Sequence, residues 1–248
     1  MRKLLYIFLA AVVLAACKKG QGPANGILVF SANGDISGTL ESFRLRLGNL
    51  NTAPGATGGR REVNWDGVPD SLSGIKLPND FFNPTAAGAP TGRQRGLVYA
   101  GLNDAMVSKT GFTEVNALAA SDFAAFSGSK TFAVVNANEW PVEFKVAGQA
   151  TSAGVKGFGL IAADVDKANS SYAEFFNGST SLGKYYFPVR TAGSAFSFLG
   201  VYFTQATITK VNIGHEGRLS DGEKDISSGG SKDLVVFDDF VYSEPVAQ

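Results

Sequence analysis

Two pairs of aspartates stand where predicted strands end, Asp164 with Asp166 and Asp238 with Asp239. Carboxylates and loop carbonyls are the hard oxygen donors that calcium prefers, and a jelly roll often brings its late strands together. We therefore predict that these four aspartates share one calcium site. In the alternative interpretation, Asp164 and Asp239 cap backbone amides in turns and the other two carboxylates face water. A further run of alternating acids, 221–225, lacks the glycine and glutamate of an EF-hand loop.

The chain contains one cysteine and one histidine. It therefore offers few ligands for a transition metal and few residues for nucleophilic catalysis. His215 and Glu216 begin a zinc-protease motif, but that motif needs a second histidine. A Ser-His-Asp triad would need His215 beside an exposed serine, and the sequence has no Gly-x-Ser-x-Gly elbow. We therefore expect His215 to be a solvated loop side chain.

A glycan-active hydrolase would need two carboxyl groups on either side of a sugar cleft, for which Glu139, Glu143 and Glu174 are candidates. No pair among them is singled out, and surface charge is the simpler interpretation. Residues 157–162 match the sequence of a dinucleotide-binding fingerprint. That fingerprint needs a helix to begin within it, whereas these residues lie inside a predicted strand with no helix after it.

A polar segment around a tryptophan, residues 60–70, is the other candidate binding site. In the favoured interpretation Trp65 plugs one end of the fold, an arginine of the segment pairs with Asp66 or Asp70, and short polar residues make tight turns. In the alternative, aromatic faces stack on sugar rings while neighbouring polar groups bind hydroxyls. The residues of that sugar site would be Trp65, Trp140, Asn64, Asp66 and Arg60. Burial of Trp65 would decide between the two.

The first residues have the layout of a secretory signal peptide, with Arg2 and Lys3 before the apolar run 4–14. The run closes on Leu-Ala-Ala-Cys, which resembles the lipobox of bacterial lipoproteins. That resemblance implies cleavage after residue 16, lipidation of Cys17 with acyl chains such as palmitate, and a membrane as partner. In such lipoproteins an aspartate directly after the cysteine favours retention at the inner membrane. Lys18 at this position therefore implies the outer membrane. Residues 17–25 are then the lipidated cysteine and a flexible tether.

Composition favours an all-β fold, because thirty glycines accompany nineteen phenylalanines. The 22 basic and 22 acidic side chains leave no positive surplus, so we exclude nucleic-acid binding. We predict one antiparallel β-sandwich domain over 26–248, jelly-roll-like, with long loops at 51–95 and 214–232 and a possible subregion at 26–128. Apolar spacing predicts one or two short helices, 37–47 and 116–126. Ten strands are predicted: 26–30, 96–99, 130–135, 141–146, 157–165, 172–176, 185–189, 196–203, 208–213 and 234–242.

Several longer segments resemble a family of uncharacterised bacterial exported proteins and lipoproteins. They are residues 59–70 (GRREVNWDGVPD), 77–83 (LPNDFFN), 157–166 (GFGLIAADVD), 198–203 (FLGVYF) and 236–242 (VFDDFVY). The resemblance implies an envelope location and no particular activity. The second half is also similar to the jelly-roll sandwiches of carbohydrate-binding modules. We expect a non-enzymatic binding or structural module; carbohydrate binding and glycan hydrolysis are the alternatives.

Overall fold

The computed structural model describes residues 26–101 and 104–248. Cys17, the signal segment 1–16 and the tether 17–25 lie outside the described residues. The strands are β1 (Ile27–Asn33), β2 (Arg60–Val63), β3 (Leu97–Val98), β4 (Ala105–Ser108), β5 (Thr131–Val134), β6 (Glu139–Phe144), β7 (Ala153–Gly154), β8 (Gly157–Ala163), β9 (Tyr172–Asn177), β10 (Thr180–Tyr186), β11 (Phe196–Phe203), β12 (Lys210–Gly214), β13 (Val236–Ser243) and β14 (Val246–Ala247). One α-helix, α1 (Ser37–Leu47), accompanies them with five single-turn 3₁₀ helices. None of the described helices has the length and apolar character to span a bilayer.

Two antiparallel sheets form the predicted β-sandwich. The larger sheet has seven strands in the order β1-β11-β8-β13-β5-β4, and β2 adds to β13 beside β5. The smaller sheet has five strands in the order β10-β9-β12-β6-β3. A short third sheet pairs β14 with β7. The fold is therefore all-β and antiparallel, as the composition predicts.

Aromatic side chains from both sheets fill the space between them. Phe158 of the large sheet lies 5.9 Å from Phe144 of the small sheet, measured between ring centroids. Trp140 of the small sheet lies 5.4 Å from Phe132 of the large sheet. Rings of this size remove a large apolar area from water, so these contacts hold the two sheets together.

The outer face of the large sheet is covered as well. α1 buries Leu40, Phe43 and Leu47 against one half of that face, and the loops 109–128 and 215–235 cover the other half. As a consequence every residue of β8 is buried. Strands covered on both faces have continuous apolar sequences, which explains why this segment shows no alternation of polar and apolar residues.

Two glycines let α1 approach the sheet closely. Gly159 and Gly200 are partners across β8 and β11, and the Phe43 ring lies over both of them. A Cβ atom added at Gly159 would lie 2.8 Å from the Gly200 Cα and 2.9 Å from the Phe43 ring. The missing side chains therefore form the notch that receives Phe43.

All ten predicted strand segments overlap observed strands, and the helix predicted at 37–47 is confirmed to the residue as α1. The predicted helix at 116–126 is wrong, because that segment forms turns. The side chain of Asn116 accepts a hydrogen bond from the Leu118 amide and donates one to the Glu223 carbonyl. Local bonds of this kind compete with helix formation. β2, by contrast, lies inside the predicted loop 51–95 and pairs with β13.

The glycine notch gives a stability prediction. Gly159→Ala should lower the free energy of unfolding by about 1–3 kcal/mol, because the added methyl group meets backbone and a packed ring. Gly38→Ala in α1 is the matched control: nothing lies within 4 Å of its added Cβ, so it should be neutral or stabilising by up to about 1 kcal/mol. Urea unfolding of both variants measures this, and equal effects would contradict the notch.

Candidate metal centre

Three segments bring five aspartates together beside the end of β8. Their members are Asp122, Asp164, Asp166, Asp225 and Asp233, which we call the aspartate cluster. Carboxylate oxygens of Asp122, Asp164 and Asp225 lie within 4.8 Å of one another, and so do those of Asp166, Asp225 and Asp233. Asp225 belongs to both groups, so the cluster is one continuous set of oxygen donors.

The turn after β8 places the first two aspartates. β8 ends at Ala163, and Asp164 adopts a left-handed conformation with φ of 69° while its amide donates to the Ala195 carbonyl at 2.8 Å. Aspartate is one of the few residues other than glycine that visits this conformation routinely. The turn directs the chain away from the sheet and puts Asp164 and Asp166 next to the loop 215–235.

Asp225 is fixed by the loop in which it lies. Its Oδ2 accepts from the Ser227 amide at 2.6 Å and its Oδ1 accepts from the Leu234 amide at 2.8 Å. Gly230 closes this turn, since an added Cβ would overlap the Lys224 carbonyl. The fully buried Asp225 carboxylate therefore orders the loop and occupies the centre of the cluster.

Three carboxylate oxygens of the cluster have no hydrogen-bond partner among the residues that the structure describes. The Oδ1 atom of Asp122 accepts from the Ser228 hydroxyl at 2.9 Å. The Oδ1 atoms of Asp164 and Asp166 lie 2.8 and 2.7 Å from Nε of Arg190. The second oxygen, Oδ2, of each of these three aspartates is buried without a hydrogen-bond partner. Asp164 as a whole is only 2% exposed, so its free oxygen has no access to bulk water.

The cluster holds more negative charge than its surroundings balance. Burial, then the charge of Asp166, raises the pKa of Asp164 to about 7, although Arg190 acts in the opposite direction. Burial also raises the pKa of Asp166 and raises that of Asp233 to about 6. Buried carboxylates can be stabilised by protonation, by a counter-charge or by a metal ion.

The donor set fits calcium by chemistry and by size. All five side chains offer hard oxygen atoms, and calcium takes six to eight oxygen ligands at roughly 2.3–2.6 Å. Two ligands on opposite sides of such an ion are therefore about 5 Å apart, so oxygens that lie within 4.8 Å of one another are close enough to share one ion. Magnesium would need a tighter octahedron of ligands at about 2.0–2.1 Å.

The structure brings together two of the four aspartates predicted to share a calcium site. Asp164 and Asp166 belong to the cluster, but Asp238 and Asp239 lie in the interior of β13, at a bulge between Phe237 and Phe240. Neither belongs to a potential metal-binding group among the described residues.

Asp238 and Asp239 instead attach a loop to the sheet. Asp238 accepts hydrogen bonds from the Phe126 and Ser127 amides at 2.6 and 3.3 Å, and Asp239 accepts from the Ser127 hydroxyl at 2.8 Å. Burial raises the pKa of both carboxyls. They are therefore structural acceptors, and the sequence error was to place them at a strand end.

The sequence prediction missed Asp122, Asp225, Asp233 and Arg190. The position of Asp233 could have been recognised in the sequence. It directly precedes the apolar run that leads into β13, just as Asp164 directly follows the apolar strand β8. Asp225 stood in the alternating acidic run, which we compared only with an EF-hand. Asp122 lay in the segment that we predicted as a helix, so its position could not be deduced.

The sugar platform predicted at Trp65 and Trp140 is wrong in geometry, since both rings are completely buried. Trp65 stacks on Phe132 with the ring centroids 4.2 Å apart. The predicted tight turn is present, because the Asn64 side chain accepts from the Asp66 amide at 2.9 Å. The favoured, structural interpretation is therefore correct for the tryptophan and the turn.

The predicted arginine pairs are different from those observed. Arg60 pairs with Glu62 at 2.6 Å, and the buried Arg61 pairs with Glu244 at 2.6 Å. Asp66 accepts from the Ser129 amide at 2.8 Å. The reason is that both arginines belong to β2: Arg60 pairs along its own strand, whereas the pairing of β2 with β13 brings Glu244 within reach of Arg61.

His215 is also placed differently from its prediction. It is buried rather than solvated, and its Nδ1–H donates to the Gly217 carbonyl at 2.8 Å. Burial lowers its pKa to about 4, so the ring is neutral at physiological pH. A neutral ring that donates from Nδ1 keeps a lone pair on Nε2.

The raised pKa of Asp164 gives a pH prediction for the metal-free protein. Between the unfolded value of 3.8 and the folded value of about 7, the folded state holds a proton that the unfolded state has released. The Asp164 contribution to stability is thus lost as pH rises through this range. The Asp164→Asn side chain cannot ionise. The free energy of unfolding of this variant, relative to that of the wild type, should therefore rise by about 1–3 kcal/mol between about pH 5 and pH 8.

Urea unfolding at several pH values in the presence of a chelator measures this difference. The control is Asp80→Asn, whose exposed side chain should leave the free energy of unfolding within about 0.5 kcal/mol of that of the wild type. A pH-independent difference for Asp164→Asn would show that Asp164 ionises normally.

Comparison of the chain with models of protein families, with curated proteins and with solved structures finds no match in any of the three.

Proposed function

We propose that this chain is a lipid-anchored, calcium-binding β-sandwich module of the bacterial outer membrane, with a binding or structural role rather than a catalytic one. The observation that carries the calcium proposal is the set of three buried, unpartnered oxygens in the aspartate cluster, one each from Asp122, Asp164 and Asp166. A cation is the ligand that satisfies such oxygens and offsets the excess negative charge at once.

The position of the cluster supports a stabilising role for the ion. Asp122 comes from the loop 109–128, Asp164 and Asp166 follow β8, and Asp225 and Asp233 lie in the loop 215–235. One ion bound to all three segments would cross-link the two loops that cover the large sheet. Calcium sites of extracellular modules commonly have dissociation constants of about 10⁻⁴–10⁻³ M, which suits a protein outside the cytoplasm.

The anchor proposal is supported by the sequence alone. Arg2 and Lys3, the apolar run 4–14 and the Leu-Ala-Ala-Cys ending at Cys17 have the order of a lipoprotein signal. Several acyl chains together anchor a protein stably where one chain does not. The sandwich would then be held at the membrane surface by the tether 17–25.

The first test is thermal unfolding of metal-stripped protein with calcium and with a chelator. At a calcium concentration about 100 times the dissociation constant, binding adds about 2.7 kcal/mol, which raises the Tm of a domain of this size by roughly 5–10 °C. Asp164→Asn and Asp225→Asn should lose most of this increase. Isothermal titration with calcium chloride should show weakened binding for the same variants.

Asp238→Asn is the matched control, because it too removes a buried carboxyl group. That group belongs to β13 and lies outside the cluster. Its Tm should differ from wild type by the same amount with and without calcium. Identical midpoints of the stripped wild type in both buffers would refute the calcium site, and so would an unchanged calcium response in Asp164→Asn.

The second test concerns the anchor. Cys17→Ser should abolish fatty-acid labelling of the protein in cells, because a serine hydroxyl cannot take the thioether-linked diacylglycerol. The variant should accumulate as uncleaved precursor or as a soluble form. Metabolic labelling followed by membrane fractionation measures both, and equal label on wild type and variant would overturn the anchor.

A further inference from the structure

A polar pocket of about 390 Å³ lies at one end of the small sheet. Its lining includes Glu139, Lys167, Asn169, Tyr172, His215 and Glu216. The volume is within the usual range of small-molecule sites, about 300–1,000 Å³. Neither the predicted sugar site nor the aspartate cluster includes these residues.

Four residues in register form the floor of this end of the sheet. Tyr186 of β10 is paired with Tyr172 of β9, which is paired with Gly214 of β12, and Gly214 is paired with Glu139 of β6. Side chains of directly paired residues project from the same face of a sheet. Tyr186 and Glu139 are exposed there, so the row presents an aromatic ring at one end and a carboxylate at the other.

Gly214 is required for this arrangement. An added Cβ at Gly214 would overlap the Tyr172 ring, so the glycine lets that ring lie across β12. From there the Tyr172 hydroxyl donates a hydrogen bond to Oε2 of Glu139. The ring and the carboxylate are therefore held in fixed positions before any ligand binds.

Most of the ionisable side chains that line the pocket have a hydrogen-bond or ion-pair partner within the protein. Lys167 lies 2.6 Å from Glu216, Tyr172 donates to Glu139, and His215 is neutral because burial lowers its pKa. The lining offers carboxylate and imidazole acceptors together with lysine and amide donors. A lining of this kind recognises many uncharged hydroxyl groups better than it recognises a free ion or an apolar chain.

We propose that this pocket and the adjacent Tyr186 ring bind a neutral glycan, with hydroxyls on Glu139 and His215 and a sugar face against Tyr186. Tyr186 is 44% exposed and its ring centroid lies 6.0 Å from that of Tyr172. The exposed ring thus lies next to Tyr172 of the pocket lining. The proposal concerns binding, since both carboxylates of the pocket already have partners within the protein: Glu216 pairs with Lys167, and Glu139 accepts from Tyr172.

One wall of the pocket, the segment 167–170, is hydrogen-bonded to Asp233 of the aspartate cluster. Asp233 accepts hydrogen bonds from the Asp166 and Lys167 amides, at 3.1 Å each, and from the Ser170 hydroxyl. Its own amide donates to Glu216 at 3.2 Å. On the basis of the proposed calcium function, and only for this step, calcium should strengthen glycan binding by ordering that wall.

The experiment is isothermal titration of the folded domain with maltotriose, cellotriose, mannotriose and N,N′-diacetylchitobiose, each in calcium and in chelator. At least one should bind in calcium. Glu139→Gln and Tyr186→Ala should each weaken that binding tenfold or more, with thermal melts confirming that they fold. Glu143→Gln, on the same strand but outside this pocket, should leave it unchanged.

Absence of binding by all four sugars would overturn the glycan proposal. Binding that survives both Glu139→Gln and Tyr186→Ala at full strength would overturn it too, since it would place the sugar elsewhere. Equal sugar affinity in calcium and chelator, with the variants still defective, would support the pocket and overturn only its link to calcium.

Discussion

The pairing of β8 with β13 in the middle of the large sheet is the interaction on which the rest of the structure depends. Both strands are buried on both faces, so their outer face needs a cover. α1 covers one half through the notch at Gly159 and Gly200, and the loops 109–128 and 215–235 cover the other half. A central strand with apolar residues throughout thus determines where the long loops must pack.

The cover also explains why acidic residues are buried. Asp164 follows directly after β8, and the loop that shields the sheet must pass over it. Burying carboxylates costs free energy unless they are hydrogen-bonded or paired. At Asp238 and Asp239 backbone amides and a hydroxyl supply the partners. In the aspartate cluster three oxygens have no such partner within the described part of the chain. Hydrogen bonds thus offset the cost of burying the carboxylates of β13, but not that of burying these three oxygens.

Local patterns predict local features of this fold well. Leucine and phenylalanine at helical spacing give α1 its bounds, and dense apolar runs such as 157–163 give the strands. β2 was missed because Arg61 is buried by an ion pair with Glu244, 183 residues away. A charged side chain indicates an exposed position unless its partner is known, and that partner is a property of the tertiary fold.

The candidate site was predictable to a similar degree. An acid at a strand end is visible in the sequence, which is why Asp164 and Asp166 could be selected. The cluster is completed by the loops 109–128 and 215–235, whose paths are set by packing on the sheet rather than by local periodicity. Trp65 and Trp140 illustrate the opposite error, because an aromatic residue among polar neighbours can be a surface platform or a core plug, and only burial distinguishes them.

Asp233 connects the two sites that the structure offers. Its carboxylate belongs to the aspartate cluster, and the same carboxylate holds the amides of Asp166 and Lys167 at the edge of the polar pocket. Under the proposed calcium function, protons and calcium would compete for this carboxylate, since burial raises its pKa to about 6. If calcium changes the affinity of the pocket for a ligand, that ligand must change the affinity for calcium by the same factor. With both proposed functions, the domain would then respond jointly to the calcium, the acidity and the ligands around it.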